Sequence, residues 1–460
     1  MVRLSTIVVV GVALVLGVWW YSGEDLLAVG CDKVDVKGML TKGELDSLPL
    51  HCFFSGGYIK GREYFRDQVQ AAGGALYTES LNRQDDLSLD FAVFQPPDKA
   101  AIRPNRGEDS MEEDRVLVHL SGTHGVEAHA GNAVQRAILE HLRLSPLVEG
   151  DPTVVLVHAV NPYGYRYHRR VNENNVDLNR NFLNDDAEWM EALQRDSNIA
   201  GYDDLNADLN PTVTEEMMTY PKPVNDLIFF SRTISQLFRY GFVAIKRAIV
   251  AGNYHRADGL GFGGFRTQPS VSIIRSFFER HGIQKTKSKL ILIDVHTGLG
   301  PYGVDTLMAN TELAGKVFTE EDQGGKYENL KGSGPNAAAA AGYDLTIGTT
   351  DDFCTRFFKP SDLLICVTQE FGTIPAIFVG KAQIEEMAAW RHYEKARHSG
   401  NTKAIETARN FFDIYSKQKL SAFYIDKPSW KKRIVRRGLR LFAEAMAALG
   451  SPQQPEWYAN

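Results

Sequence analysis

Short apolar runs recur along the chain, and each is followed by a longer segment with room for a helix. β-Branched residues are concentrated in Val116–Leu120, Thr153–Val160, Leu290–Val295 and Leu363–Thr368, and the stretch Leu87–Phe94 alternates like a strand. Strands that alternate with helical segments predict a parallel sheet covered by helices on both faces. We therefore predict an α/β fold with a mostly parallel mixed sheet flanked by helices.

The N-terminal segment Leu4–Tyr21 carries no charge and reads as a membrane span, which needs about 17–25 apolar residues. Arg3 precedes it and Glu24 follows it, so the positive-inside tendency puts the bulk of the chain on the non-cytoplasmic side. We predict a single-pass transmembrane signal anchor in residues 1–22. A cleaved signal peptide, and therefore a secreted protein, is the alternative.

The rest of the chain divides by its pattern of polar and apolar residues. Residues 23–54 are predicted to be a connector, residues 55–449 one large domain, and residues 450–460 a tail. Within the domain, residues 184–250 are polar at first and then helical, which predicts a largely helical insertion packed beside the sheet. A further helical region is predicted from Ala376 to Leu449.

The composition excludes some classes of function. The chain has 460 residues, a net charge of −6 and a pI near 6.1, so nothing indicates nucleic acid as a partner. Four cysteines are too few for a disulfide scaffold. We expect buried thiols, and the pairs Cys31–Cys52 and Cys354–Cys366 are left open as possible bridges.

Polar residues follow the apolar runs at the points where the strands should end. The first run leads into His124 and Glu127, the second into Asn161-Pro-Tyr-Gly, the third into His296 and the fourth into Glu370. The carboxyl ends of parallel strands meet at one edge of the sheet, where ligands bind. Two histidines and two glutamates should therefore converge.

This set of residues suits a catalytic zinc site, which takes three protein ligands and keeps a fourth position open. His124 and Glu127, three residues apart, can point to the same side, and His296 completes a His2Glu set for one zinc ion. Glu370 is then free to take a proton from the water that zinc activates. The Arg- and Asn-rich stretch from Asn161 to Phe182 can hold a carboxylate and stabilise an oxyanion.

The order of these motifs resembles the M14 zinc carboxypeptidase and aspartoacylase/succinylglutamate desuccinylase superfamily. The motifs that carry the resemblance are His124-X-X-Glu127, Asn161-Pro-X-Gly, Asp177-Leu-Asn-Arg, Asp294-Val-His and Glu370-Phe-Gly. Arg62-Glu-Tyr-Phe and the glycine-rich stretch that begins at Gly252 narrow the similarity to the DUF2817 family. The resemblance covers roughly residues 55 to 445, and it implies a zinc carboxypeptidase-like fold.

The resemblance also implies roles for residues on the substrate side. Asn179 and Arg180 look like the pair that holds a substrate carboxylate, and Arg170, or its neighbour Arg169, looks like the arginine that contacts the oxyanion. Asp177 and Asp294 are expected either to orient other groups or to form structural ion pairs. No position matches the mobile tyrosine of the carboxypeptidases.

The expected function is a zinc-dependent hydrolase that cleaves an amide or peptide bond next to a carboxylate-bearing group. Its substrate is a small peptide or an acylated amino acid, which leaves metallocarboxypeptidase and N-acyl amino acid deacylase as alternatives. The third alternative is a non-catalytic zinc-binding receptor of the same fold. Two Gly-X-Gly-X-X-Gly matches, Gly259–Gly264 and Gly298–Gly303, lack the strand-to-helix context of a dinucleotide site, and no nucleophile elbow of a serine hydrolase occurs.

Overall fold

The computed structural model describes residues 31, 34–41, 45–82, 84–99, 114–286, 288–309, 311–318, 326–329, 343–360 and 362–453. The predicted membrane segment Leu4–Tyr21 lies outside these ranges, as does most of the tail. Within them, no helix is both long and apolar enough to span a bilayer.

One mixed sheet forms the centre of the described part of the chain. Its eight strands lie in the order β1-β2-β4-β3-β5-β8-β6-β7. The inner strands β4, β3, β5 and β8 are mutually parallel, and β2 and β6 join them antiparallel on either side. The strands are β1 (Ala75–Asn82), β2 (Leu87–Phe94), β3 (Arg115–Ser121), β4 (Thr153–His158), β5 (Lys289–Tyr302), β6 (Asp305–Ala309), β7 (Lys326–Asn329) and β8 (Leu363–Gly372).

Helices cover both faces of this sheet, as the alternation of strands and helical segments predicts. The helices are α1 (Tyr58–Ala71), α2 (Ala128–Leu144), α3 (Pro162–Tyr167), α4 (Asp186–Gln194), α5 (Asn206–Leu209), α6 (Glu215–Thr219), α7 (Lys222–Tyr240), α8 (Phe242–Ala251), α9 (Pro269–Arg280), α10 (Ala314–Val317), α11 (Thr350–Phe357), α12 (Ala376–His398), α13 (Thr402–Phe423) and α14 (Pro428–Ala448).

Two apolar cores lie on opposite faces of the sheet because successive strand residues point to opposite sides. Leu117 and Ile291 belong to the core that α2 and α14 cover. Val118 and Leu292, one residue further along, belong to the core that α9 and α11 cover. Strands buried on both faces must be apolar throughout, which is why β3, β4 and β5 read as continuous apolar runs.

The five strands expected from the sequence are present, but β5 and β8 are longer than their apolar runs. His296 and Glu370 therefore lie inside these strands, where they are partners in register, rather than after them. The strands β1, β6 and β7 were not predicted. β1 and β7 are the edge strands and β6 lies next to β7. All three are short or half-exposed, and their apolar patterns are weak.

The expectation of free thiols was wrong, because the structure contains the disulfides Cys31–Cys52 and Cys354–Cys366. The second joins α11 to β8, which places Thr350 and its neighbours beside the end of the sheet. The end of the predicted connector also packs closely: Leu50 and Phe53 are fully buried in the core beneath α2 and α14.

Candidate metal centre and substrate pocket

His124 and Glu127 lie in a tight turn that follows β3, Gly125–Glu127 being a single 3-10 turn. The backbone N–H groups of Gly125 and Val126 donate to the carbonyl oxygens of Arg170 and Arg169, at 3.3 and 2.9 Å. A Cβ on Gly125 would lie 2.0 Å from the backbone carbon of Gly164. Only glycine permits this close approach, which fixes the turn against the loop that carries the arginines.

Three acceptor atoms converge at the carboxyl end of the parallel strands. The Nδ1 atom of His124 lies 3.0 Å from a carboxylate oxygen of Glu127 and 3.0 Å from Nδ1 of His296. Nδ1 of His296 lies 3.1 Å from the other Glu127 oxygen. All three side chains are buried, and their ligand atoms lie within 4.8 Å of one another.

The outer nitrogen of each histidine faces a carboxylate that can accept the ring proton. Nε2 of His124 lies 3.0 Å from Asp177 Oδ1, and Nε2 of His296 lies 2.8 Å from Asp294 Oδ2. A histidine that donates through Nε2 presents a lone pair at Nδ1. Both lone pairs then point at each other and at Glu127, an arrangement of acceptors that a bound cation satisfies.

The donor set fits zinc. Atoms that each lie about 2.0–2.1 Å from a tetrahedral ion are separated by roughly 3.3 Å, close to the spacings found here. Two imidazoles and one carboxylate are typical ligands of a catalytic zinc, and carboxylates commonly orient such imidazoles from the outer side. His124, Glu127 and His296 are therefore the residues that would hold the ion.

Asp294 is held in place by hydroxyl groups as well as by His296. Thr123 Oγ1 donates to its carboxylate at 2.9 Å and Thr350 Oγ1 at 2.8 Å. Burial alone would raise the pKa of Asp294, but His296 and these hydroxyl groups hold its pKa below the ordinary value. Asp294 is thus a buried carboxylate placed where it can orient the ring of His296.

We expect Asp294→Asn to weaken zinc binding by about 10–100-fold, since loss of a carboxylate that orients a ligand typically has that effect. Zinc affinity would be measured by competition with a chromophoric chelator. Asp90→Asn is the matched control, because Asp90 is a buried, ion-paired acid on β2 that bonds to Arg66 at 2.9 Å. Equal zinc affinity in both variants would contradict the orienting role.

Arg170 joins two of the groups around the candidate metal site. Its Nη1 donates to Glu127 at 2.8 Å, and its Nε donates to Asp177 at 3.2 Å. The guanidinium also lines the cavity in front of the metal site. A fixed positive charge at this position can stabilise negative charge that develops on a substrate oxygen.

Glu370 projects from β8 into the same cavity. One carboxylate oxygen accepts the backbone N–H of Leu299 at 2.8 Å. Burial, together with the negative charge of Glu127, raises the pKa of Glu370 to about 7. A general base is most effective when its pKa lies near the working pH.

Asn179 and Arg180 line the cavity beside the metal site. Asn179 accepts the backbone N–H of Thr350 at 3.0 Å. The guanidinium of Arg180 donates through Nε to the carbonyl oxygen of Val250 at 2.7 Å, and the hydroxyl of Tyr254 donates to the Arg180 carbonyl at 2.6 Å. Arg180 is nearly fully buried, so a carboxylate that binds it would lose most of its contact with water.

Arg169 does not fit the substrate-binding role expected for it, because its side chain points away from the cavity. Its Nε donates to Glu386 at 2.8 Å, and its guanidinium lies 4.3 Å from the ring of Trp390. Lys419 also contacts Glu386, at 2.7 Å. Arg169, Glu386 and Lys419 are all buried, and Arg170 is the arginine of the pair that lines the cavity.

A single cavity of about 540 Å³ extends from the metal site. Its floor is the end of the sheet, with His296 and Glu370, and its walls come from the insertion and from α12 and α13. The contacts that hold the insertion in place include Asp226 on α7 with Lys381 on α12, at 2.8 Å, and Val250 with Arg180. The insertion therefore forms a roof over the site, a feature for which the sequence gives little indication.

The fold and the site together define an α/β protein with a buried His2Glu candidate metal centre at the carboxyl edge of its parallel strands. Residues 54–437 match the family described as "Protein of unknown function (DUF2817)". The chain therefore belongs to the DUF2817 family, as the sequence motifs indicate.

Solved structures similar to this chain include two with related descriptions. Carboxypeptidase A from Helicoverpa armigera is 11% identical, with a TM-score of 0.39, and the match covers 82% of this chain and 78% of that one. Murein-tripeptide amidase MpaA from Escherichia coli O157 is 17% identical, with a TM-score of 0.31, and covers 69% and 90%. No curated protein matches the chain.

Proposed function

We propose that this protein is a zinc-dependent hydrolase that cleaves an amide or peptide bond next to a carboxylate-bearing group. The observation that carries the proposal is the convergence of three acceptor atoms, from His124, Glu127 and His296, in a cavity that also contains Glu370 and Arg180. A bound zinc ion supplies a Lewis acid and lowers the pKa of water.

The residues of the chain take distinct parts in this reaction. Arg180 and Asn179 hold the substrate carboxylate and so position the amide. Glu370 removes a proton from the attacking water and delivers it to the departing amine. Arg170 stabilises the negative charge on the carbonyl oxygen. Asp177 and Asp294 keep the histidine lone pairs directed at the metal site.

Between the two hydrolase alternatives, the roof formed by α7 and α8 favours small acylated amino acids over long peptides. Hydrolysis should be compared on a C-terminal peptide library and on N-acyl amino acids, using the zinc-loaded full chain. Faster cleavage of N-acyl amino acids would support the deacylase, and faster cleavage of peptides would support the carboxypeptidase. If the zinc-loaded protein hydrolyses neither peptides nor N-acyl amino acids, the proposal would be contradicted and a non-catalytic receptor would be favoured.

We expect Arg180→Lys to raise KM for carboxylate substrates by roughly 10–100-fold. Hydrogen bonds to a charged partner contribute about 1.5–3 kcal/mol, and lysine cannot make the bidentate contact that arginine makes with a carboxylate. Substrates with a carboxamide in place of the carboxylate should be affected little. Steady-state kinetics on the paired substrates would measure this. Arg256→Lys is the control, since Arg256 forms an exposed ion pair with Asp203. An equal loss on both substrates would refute carboxylate binding by Arg180.

We further propose that Leu4–Tyr21 anchors the protein in a membrane with the bulk of the chain on the non-cytoplasmic side. The two disulfides support this placement, since such bonds form and persist in oxidising compartments. Alkaline extraction of membranes would separate an anchored chain from a secreted one. If the full chain is expressed and the protein is recovered in the soluble fraction with Leu4–Tyr21 cleaved off, the anchor would be contradicted.

A further inference from the structure

The helix α7 has an apolar face that lines the cavity. Ile228, Phe229 and Leu237 line the cavity at helical spacing, and none of them is fully buried. Across from them, Val379 and Phe423 line it from α12 and α13. The apolar side chains of α7 therefore form one wall of the cavity.

This apolar chamber is continuous with the metal site. Glu370 and His296 line the same cavity as Ile228 and Phe229. Phe230 packs edge-on against Phe378 with ring centroids 5.6 Å apart, which joins α7 to the first turn of α12, just beyond β8. A substrate whose amide lies at the metal site would therefore extend directly into the chamber.

The size of the chamber indicates what fills it. A cavity of about 540 Å³ lies within the roughly 300–1,000 Å³ of sites that enclose drug-sized ligands, and most of its surface is apolar. An acetyl group would leave most of it empty. Each methylene group transferred from water to such a surface contributes a constant favourable increment to binding.

We infer that the substrate carries a long hydrocarbon chain, and that the chamber binds this chain as the acyl part of an N-acyl amino acid. The inference rests on the hydrolase proposed above. Arg180 holds the carboxylate, and water adds across the amide: the C–N bond breaks, a C–O bond forms, and the products are a fatty acid and a free amino acid. Glu370 carries the proton from the water to the amine.

The test separates binding from catalysis. Dissociation constants for N-acetyl, N-octanoyl and N-dodecanoyl derivatives of glycine, phenylalanine and aspartate would be measured on zinc-loaded Glu370→Gln by calorimetry, and hydrolysis on the wild type. We expect affinity and kcat/KM to rise at least 100-fold from acetyl to dodecanoyl. Equal affinities for the acetyl, octanoyl and dodecanoyl derivatives would contradict binding of the acyl chain in the chamber. Tighter binding of long chains without hydrolysis would refute only the hydrolase, and equal hydrolysis of all lengths would refute only the long-chain substrate.

Neighbouring residues on α7 provide matched variants. Ile228→Trp narrows the chamber and should weaken dodecanoyl binding at least tenfold while leaving acetyl binding unchanged. Leu227→Trp is the control, because Leu227 faces outward with 71% of its surface exposed. Leu237→Trp and Phe238→Trp form a second pair if the first variant does not fold. Wild-type dodecanoyl affinity in both chamber variants would contradict the inference.

The outward face of α7 carries a second apolar stripe, which is independent of any catalytic activity. Val224, Leu227, Ile234 and Phe238 follow a helical repeat, and all are exposed, Phe238 at 80%. Val243 continues the stripe onto α8 and is also exposed. Contiguous apolar surface of this kind marks an interaction site.

The charge of this segment indicates the kind of partner. Residues 222–251 contain five basic residues and one acidic residue, in a chain whose net charge is −6. The single acid, Asp226, is paired with Lys381, whereas Arg239 is exposed. A basic helix with an apolar stripe suits an anionic lipid surface, and the same charge would repel a second copy of this face.

We propose that the outer face of α7 and α8 lies on an anionic bilayer. All four native cysteines are in disulfides, so a single introduced thiol can be labelled in the full chain. A fluorophore at Phe238→Cys should be quenched by spin-labelled lipids in vesicles that contain phosphatidylserine. The matched label at Ile414→Cys, an exposed apolar position on α13, should be quenched at least twofold less.

Each other outcome excludes the bilayer. Equal quenching at the two positions would contradict contact between α7 and lipid. Crosslinked Phe238→Cys dimers without lipid quenching would identify a second copy as the partner instead. Leu227→Cys replaces Phe238→Cys if the latter does not fold, with the same expected result.

Discussion

Replacing Glu370 by glutamine is expected to lower kcat/KM by about 10²–10⁴-fold, the usual contribution of a general acid–base group, while zinc stays bound. The amide of glutamine can still face the site, but it cannot take a proton from water. Glu370 contacts the backbone N–H of Leu299 and is not one of the three converging acceptors. The variant should therefore separate catalysis from metal binding.

Zinc content and hydrolysis would be measured on the same preparations of wild type and Glu370→Gln. Glu140→Gln is the control, because Glu140 is a buried, ion-paired acid on α2 that bonds to Arg143 at 2.8 Å. Its activity should match the wild type. A Glu370→Gln variant that retains full activity would exclude Glu370 as the general base. A variant that loses zinc would show that Glu370 acts as a metal ligand instead.

We expect His296→Ala to abolish activity altogether, because it removes one of the three proposed metal ligands. The loss of activity should exceed that caused by Glu370→Gln. Without the ion, both the Lewis acid and the lowering of the pKa of water are lost. Activity would be assayed with zinc in excess over the protein. His281→Ala is the control: His281 is buried, but its ring contacts the Phe277 carbonyl and not the metal site. Activity of His296→Ala at the wild-type level would refute the ligand set.

The sequence predicts the inner strands and the convergence of His124, Glu127 and His296, because both depend on local pattern. A strand buried on two faces must be apolar, and polar residues near its carboxyl end must then lie at the site edge. His296 and Glu370 illustrate this, since they face each other in register on β5 and β8. The edge strands carry weaker patterns and were missed.

Long-range contacts decide what the sequence leaves open. Arg169 and Arg170 are adjacent and alike in sequence, and only the contact of Arg169 with Glu386, 217 residues away, turns it from the site. The disulfide pairing and the position of the insertion depend in the same way on tertiary packing. The apolar face of α7 predicts a helix, but not that a cavity lies beneath it.

Metal analysis of the purified full chain tests the central claim most directly. Zinc would be quantified by mass spectrometry after dialysis against metal-free buffer, in wild type, His124→Ala, His296→Ala and the control His281→Ala. We predict one zinc ion per chain in the wild type and the control, and none in the two ligand variants. A wild type that binds no zinc, or ligand variants that keep it, would contradict the metal centre formed by His124, Glu127 and His296.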